Sequence, residues 1–251
     1  MTASLSGDDL LQLLDDAATA VHAAVADLPD WGLAGTRAGQ YKCDLAADAA
    51  VLDVLARAPV GILSEESGLA HPDRDVIVVV DPIDGSTNAA AGLPWFASSL
   101  CAVDGDGPLA AVVVNQATGT RFRAVRGEGA TVDGAPTKPL STVALQDAFV
   151  GISGLPDHWL GWRQYRALGA CALDMCAVAA GMLDAFIDCT PRPAHGVWDY
   201  IGALLVCREA GAVVTDRYGE DLVVLQHEAR RAPIAASSEA LLQECIKSLN
   251  K

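Results

Sequence analysis

The sequence predicts an α/β protein of the α+β kind, with a first half of helices on a largely antiparallel sheet and a second half in which strands and helices alternate. Three observations carry this reading. Before residue 60, apolar residues recur at helical spacing. Between 76 and 132, short apolar runs punctuated by Asp-Gly and Thr-Gly read as strands and hairpins. From 149 onward, runs of strand length and helix length follow one another. The change of pattern divides the chain into an N-terminal α+β half, 1–145, and a C-terminal α/β half, 146–251, expected to form one compact unit.

In order along the chain, a helix is expected over 8–28, with Leu10, Leu14, Ala17, Ala18, Val21, Val25 and Leu28 on one face and Pro29 as its stop. Residues 31–41, with Gly32, Gly35 and Gly39, read as a loop. A second helix over 45–58 ends before Pro59. Ile62-Leu63 is a short strand, 76–80 a longer one, and 100–103, 110–114, 121–125 and 130–132 complete the first sheet. The second half reads as a strand at 149–152, a helix at 171–181, a strand at 185–187, a helix at 198–210, strands near Val213 and Leu222, a strand at 233–236 and a closing helix at 238–248.

Composition limits the partners. The chain has 251 residues, 51% of them hydrophobic, enough for a sizeable core. Lys and Arg total 17 against 32 acidic residues, a net charge of −15, which argues against nucleic acid or an anionic membrane as the main partner. An anionic substrate remains compatible, because bound divalent ions invert the local field. The seven cysteines are scattered, without C-x-x-C or a nearby His at zinc spacing, which suits a reducing cytoplasm. Residues 1–28 show no basic start followed by an apolar run, and no apolar run nears the roughly 18 residues a bilayer span needs. A cytoplasmic protein without a membrane segment is expected.

The most informative stretch is 76–88, VIVVVDPIDGSTN. Five consecutive β-branched residues, bounded by charge on one side and Pro and Gly on the other, read as a strand buried on both faces, with Asp81 and Asp84 at its end. Two carboxylates in one buried site ionise together only with a cation between them. Mg²⁺, which prefers carboxylate and carbonyl oxygen, suits Asp81, Asp84 and the backbone oxygen of Ile83. An Asx-rich turn with both acids solvated is the plain alternative. Glu65 and Glu66 alone would be an ordinary solvated turn, but they precede the 76–80 strand, where two strand ends can converge. Asp44 stands just ahead of the second helix, with Asp48 one turn on, and Asp199 falls in the first turn of the 198–210 helix. Each fits a helix cap as well as a functional acid. Gly85, Ser86 and Thr87 would start a helix and offer free backbone N–H groups to a phosphate, Gly85 allowing close approach. Neither a G-x-x-x-x-G-K-[ST] loop nor a G-x-S-x-G elbow occurs.

Four segments occur in order: Glu65-Glu66-Ser67-Gly68, the DPIDGSTN run from Asp81, Arg126-Gly127-Glu128-Gly129-Ala130 with Asp133-Gly134, and Trp198-Asp199 with Glu209-Ala210-Gly211. Together they resemble the signatures of the inositol monophosphatase superfamily of metal-dependent, lithium-sensitive phosphatases, over roughly residues 44–216. The resemblance implies a fold of stacked α-β-α-β-α layers and a Mg²⁺-dependent phosphomonoesterase acting on inositol monophosphate or a related polyol or sugar phosphate. It leaves open a fructose-1,6-bisphosphatase, a histidinol-phosphate phosphatase or a 3′-phosphoadenosine 5′-phosphate nucleotidase. A non-catalytic metal-binding paralogue is the rival from another class, but it would usually lack a ligand, and every expected acid is present. The resemblance further implies two or three Mg²⁺ per site, with Glu65, Asp81 and the Ile83 carbonyl holding one ion and Asp81, Asp84 and Asp199 another. Ser86, where the resembled enzymes usually carry threonine, would orient the attacking water, with Asp44 accepting from its hydroxyl and Glu66 as a supporting acid. Asp188 takes the place of an acid that bonds a substrate hydroxyl. The following loop, 189–196, is longer than the family's, and its Arg192 and His195 are candidates for reading the substrate, Arg192 being otherwise a solvated loop cation. A small phosphorylated metabolite as partner, and a homodimer, complete what the resemblance implies.

Overall fold

The structure, a computed structural model, describes residues 5–26, 28–37 and 39–250. Residues 1–4 and Asp27 of the expected N-terminal segment, Ala38 of the 31–41 loop, and Lys251 lie outside the described residues. The chain runs α1 (Gly7–Ala26), α2 (Lys42–Leu55), β1 (Gly61–Ser64), β2 (Gly68–Ala70), β3 (Ile77–Asp84), α3 (Ser86–Ala91), β4 (Ala97–Asp104), β5 (Gly107–Asn115), β6 (Arg121–Val125), β7 (Gly129–Val132) and β8 (Ala135–Pro136). It continues with β9 (Phe149–Ser153), β10 (Gln164–Arg166), α4 (Cys171–Ala179), β11 (Ala185–Asp188), α5 (Val197–Ala210), β12 (Val213–Asp216), β13 (Pro233–Ala236) and α6 (Glu239–Leu249).

The strands form two sheets, of order β2-β1-β3-β4-β5-β6-β7-β8 and β10-β9-β11-β13-β12. In the first, only β1 and β3 pair in parallel. In the second, β9 lies parallel to both β10 and β11, while β13 is antiparallel to β11 and β12. The period-2 alternation of side chains then sets the layers. From β3, Val78 and Val80 pack with Leu10, Leu14 and Val21 of α1 and Ala47 and Val51 of α2. Ile77 and Val79 point the other way, into a core shared with α4 and α5. On β11, Phe186 faces that same central core, while Ala185 and Ile187 face Leu241, Leu242 and Cys245 of α6. The five layers are therefore α1/α2, sheet, α4/α5, sheet, α6, as expected. Burying each Val, Leu or Ile of such layers is worth roughly 1.5–3 kcal/mol. The central helix α5 is apolar nearly all round, as a helix between two sheets must be. It approaches β4 and β5 so closely at Gly202 that a Cβ there would lie 3.0 Å from Ser99 Oγ and 3.2 Å from Val113 Cγ2.

Three expectations need correction. The second helix begins at Lys42 instead of 45, because the Asp44 carboxylate accepts the Tyr41 backbone N–H (2.8 Å) and so satisfies a free donor at the helix start. Asp44 thus lies inside the first turn. No strand forms at Leu222, where Asp221 Oδ1 bonds the Val223 N–H (2.9 Å) in an Asx turn, although Leu222 itself is buried. The short strands β2, β8 and β10 were not expected from the sequence. They are of two or three residues and mostly exposed, so pairing with a neighbour creates them without any periodic signal.

Candidate functional site

Parallel pairing of β1 with β3 sets the site, because β1 ends beside Val80 while β3 runs on to Asp84. Ser64 is in register with Val80, and the Glu65 N–H donates to the Val80 carbonyl (3.1 Å). Glu65, just past the end of β1, therefore stands beside Asp81 on the continuing β3. On β3 an unbroken strand would send Asp81 and Asp84 to opposite faces of the sheet. The pairing with β4 instead shifts by one residue, from Asp81↔Ser99 to Asp84↔Ala97, across Pro82-Ile83. Ile83 turns into the α1/α2 core, and Asp84 turns toward α4, where its Oδ2 accepts the Ala172 N–H (2.7 Å). The bulge thus aims both carboxylates at the central layer.

The third contributor arrives with α5. Asp199 Oδ2 accepts the Gly196 N–H (2.9 Å) and lies 3.3 Å from His195 Nδ1, so the residue does cap its helix. Ligand atoms of Glu65, Asp81 and Asp199 also come within 4.8 Å of one another. Asp81 is buried, and its Oδ1 finds no hydrogen-bond partner among the described residues. Burial, then the Glu65 charge, pushes Asp81 well above the usual carboxylate range. Burial, then Asp199, does the same to Asp84. Glu65 is pushed up to about 8, by burial first and then by Asp199. Carboxylates that repel one another out of water, one with an orphan oxygen, are arranged for a hard divalent cation and are poorly arranged without one. The set that converges is Glu65, Asp81 and Asp199, which mixes the two ligand groups that the sequence suggested, while Asp84 stands outside it with its Oδ2 taken by the Ala172 N–H.

Around this cluster, the helix α3 starts at Gly85, whose φ of +85° is left-handed. A Cβ there would meet the Gly169 carbonyl at 3.0 Å and the Ala170 Cβ at 3.1 Å. Ser86, Asp44, Glu65 and Glu66 line one cleft, together with Arg37, Gly39, Gln40, Trp198, His227 and Arg230. Burial pushes Asp44 up to about 6. Its carboxylate bonds Tyr41 N and approaches Cys43 Sγ (3.7 Å), while no hydrogen bond joins it to Ser86. Thr87 Oγ1 lies 3.3 Å from the Tyr41 hydroxyl. Asp48 supports the cluster from beneath, accepting from Ser64 Oγ (2.5 Å) and Ser67 Oγ (3.4 Å) and so fixing the turn that carries Glu65. Glu66 accepts from Arg37 Nη2 (2.7 Å) and from Gln40 Nε2.

The 188–196 loop departs from its expected arrangement. Asp188 is wholly buried at 0% exposure, with Oδ1 taken by Thr190 N (2.8 Å) and Oγ1 (2.6 Å). Its Oδ2 faces His195 Nε2 at 3.6 Å. His195 therefore stands between the carboxylates of Asp188 and Asp199 inside the fold, its Nε2 hydrogen-bonded to Ser153 Oγ (3.2 Å). Burial works against its protonation, but bonding to Asp199 and the charge of Asp188 outweigh it and raise the imidazole above its ordinary value. Arg192 is exposed and is absent from the cleft lining. The cations at the cleft are Arg37 and Arg230, which sequence reasoning missed. The only signal for the second was the Arg230-Arg231 pair in an otherwise acidic chain. Glu209 explains another motif: its two oxygens accept the N–H groups of Gly127 and Gly129 (2.9 Å each), tying α5 to the β6–β7 turn.

Residues 37–251 match the family model described as the inositol monophosphatase family. The chain is 31% identical to the fructose-1,6-bisphosphatase of Pyrococcus furiosus over 211 residues, covering 82% of each chain. It is 29% identical to the fructose-1,6-bisphosphatase/inositol-1-monophosphatase of Archaeoglobus fulgidus, across 95% of this chain and 98% of that one. Among solved structures, a Pyrococcus horikoshii protein described as having similarities to inositol-1 monophosphatase superposes with a TM-score of 0.82 at 25% identity, over 97% of this chain and 98% of the other. The buried carboxylates at the bulged end of β3 and these matches agree, and the chain belongs to the inositol monophosphatase family.

Proposed function

We propose that this chain is a Mg²⁺-dependent phosphomonoesterase that hydrolyses inositol monophosphate or a related polyol or sugar phosphate, with water as the nucleophile. The observation that carries this reading is the convergence of Glu65, Asp81 and Asp199 within 4.8 Å, with Asp81 Oδ1 buried and unpartnered. These three acids, with Asp84 and the Ile83 carbonyl, would hold the Mg²⁺ ions. Bound there, divalent ions supply activation of water at neutral pH and neutralisation of charge on the phosphate. The chain's own residues supply position. Backbone N–H groups at Gly85, Ser86 and Thr87 receive phosphate oxygens. The Ser86 hydroxyl orients the attacking water once it turns onto Asp44, which lines the same cleft and is ionised above about pH 6. That turn is the one rearrangement the reading requires. Glu66 holds the cleft wall through Arg37 and Gln40.

Fructose-1,6-bisphosphatase activity is the second reading, favoured by the names of the Pyrococcus furiosus and Archaeoglobus fulgidus relatives. The family resemblance also supports lithium sensitivity and a homodimer, and the scattered free cysteines support a cytoplasmic location. No helix among the described residues is long and apolar enough to cross a membrane. The test is a phosphate-release screen of small phosphorylated metabolites with and without Mg²⁺, followed by lithium titration. Release that depends on Mg²⁺ and is suppressed by lithium is expected. Undiminished release in the presence of a chelator would overturn the metal assignment.

A further inference from the structure

Asp199 comes to the metal cluster with only one oxygen to give. Its Oδ2 accepts the Gly196 N–H (2.9 Å) and faces His195 Nδ1 at 3.3 Å, whereas its Oδ1 accepts no hydrogen bond among the described residues. An ionised carboxylate has about two lone-pair sites on each oxygen, so these two donors use up Oδ2. A carboxylate only accepts, so Nδ1 of His195 carries the hydrogen whether or not Nε2 does.

The imidazole is itself fixed from several sides. Nε2 is hydrogen-bonded to Ser153 Oγ (3.2 Å) at the end of β9, and the ring meets Phe186 of β11 edge-on with centroids 6.4 Å apart. The backbone is tied to Arg231 in both directions, the His195 N–H donating to the Arg231 carbonyl (3.1 Å) and the Arg231 N–H to the His195 carbonyl (2.8 Å). Between His195 and Asp199 the chain has no slack: a Cβ at Gly196 would lie 2.3 Å from the Trp198 ring. The 189–196 loop thus delivers a ring nitrogen to one oxygen of a cluster acid and holds it there.

We propose that His195 is a positioning residue for Asp199, which it makes a one-oxygen ligand, and that this tunes the site for Mg²⁺ over Ca²⁺. Mg²⁺ demands near-ideal octahedral geometry at about 2.0–2.1 Å, whereas Ca²⁺ accepts a carboxylate through one oxygen or two at about 2.3–2.6 Å. With Oδ2 held by Gly196 and His195, Asp199 cannot turn both oxygens to the ion. Without the imidazole it can, which favours the larger cation. The role rests on the reading of Glu65, Asp81 and Asp199 as holders of a divalent ion.

Metal competition tests this without turnover. Mn²⁺ is bound to the metal-free protein, its free fraction is read by electron paramagnetic resonance, and it is displaced with Mg²⁺ or with Ca²⁺. The ratio of Ca²⁺ to Mg²⁺ concentration at half displacement is then compared among variants. His195→Asn sets an amide N–H where Nδ1–H stands, whereas His195→Gln sets its own near Nε2 and keeps only the Ser153 contact. The Gln variant is expected to lower the ratio about tenfold, the low end of what partners of metal ligands contribute, and the Asn variant to hold it near wild type. Ser153→Ala frees Nε2 without altering the imidazole and is expected to lower the ratio by less. Melting of the metal-free variants reads the fold separately, since a merely structural residue would lower melting in the Asn and Gln variants alike and leave the ratio unmoved. An unmoved ratio in His195→Gln and Ser153→Ala, or equal falls in the Asn and Gln variants, would overturn the role of His195, while wild-type Mn²⁺ binding would still support the metal site. A wild type that binds no Mn²⁺ at millimolar concentration would overturn the metal site, and the role of His195 with it.

Discussion

Two carboxylates on opposite sides of the first sheet face opposite circumstances. Asp15, on α1, is about 17% exposed and receives Arg121 Nη1 (2.8 Å), Arg123 Nε (2.6 Å) and Arg123 Nη2 (3.0 Å), so its charge is matched and its oxygens are used. Asp81, on β3, is 2% exposed, has acids for neighbours and keeps one oxygen with no partner. Folding gains from the first and loses from the second. A fold holds a group like Asp81 in place only because packed strands and helices over-determine its position, and such uncompensated groups mark functional sites.

Exchanging the charges in turn tests this contrast. Asp81→Asn is expected to lower Mg²⁺-dependent phosphate release more than about a hundredfold, since even outer partners of metal ligands are worth 10–100-fold. The melting point of its metal-free form should rise or stay level, as removing one of several repelling charges relieves the site. A fall in melting point with retained turnover would reverse the assignment.

The next effect is in pH. Glu65 at about 8, Asp174 at about 7 and Asp44 at about 6 all lie above their ordinary values through burial, so the folded metal-free chain binds these protons more tightly than the unfolded chain. Their contribution to stability is complete below about pH 4 and is lost as pH climbs toward about 8. Metal-free melting scans should therefore show stability declining across that window relative to protein in excess Mg²⁺ or Ca²⁺, and the gap between the two should widen with pH. A constant gap would mean that the ion does not bind the deprotonated Glu65.

Asp15→Ala should act in the opposite sense, losing about 1–2 kcal/mol of stability, or a few degrees in melting point, with turnover retained. Arg192→Ala should give the smallest effect, leaving KM and kcat within about twofold of wild type, as expected of an exposed loop side chain away from the cleft. A large KM change would place the 189–196 loop over the substrate after all.

How much of this was legible depends on where the determinants lie. The run of Ile77 to Val80 followed by Asp81 and Asp84 is local, so strand, burial and acid pair could be read directly. The five layers came from the resemblance to the inositol monophosphatase family, with which the order of helices and strands is compatible. What could not be read arises between distant segments. The bulge at Pro82-Ile83 exists through pairing with β4. The Asp48 bond to Ser64 joins residues 16 apart, and the Glu209 bonds to Gly127 and Gly129 span 80 or more. Arg192 drew attention because prolines flank it beside Asp188, whereas the arginines that line the cleft come from segments nearly 200 residues apart and carry no motif. His195 is a candidate substrate reader in the sequence, whereas the isolated bridge between His195 and Arg231, residues 36 apart, carries no local signal.

The most direct test of the central claim is anomalous diffraction from crystals soaked in Mn²⁺, a close stand-in for Mg²⁺ at oxygen ligands. At least one Mn²⁺ peak is predicted within coordination distance of carboxylate oxygens from Glu65, Asp81 and Asp199 together, and its loss is predicted in Asp81→Asn. A well-ordered wild-type site with no anomalous peak at millimolar Mn²⁺ and neutral pH would contradict the account that these acids converge to hold a metal.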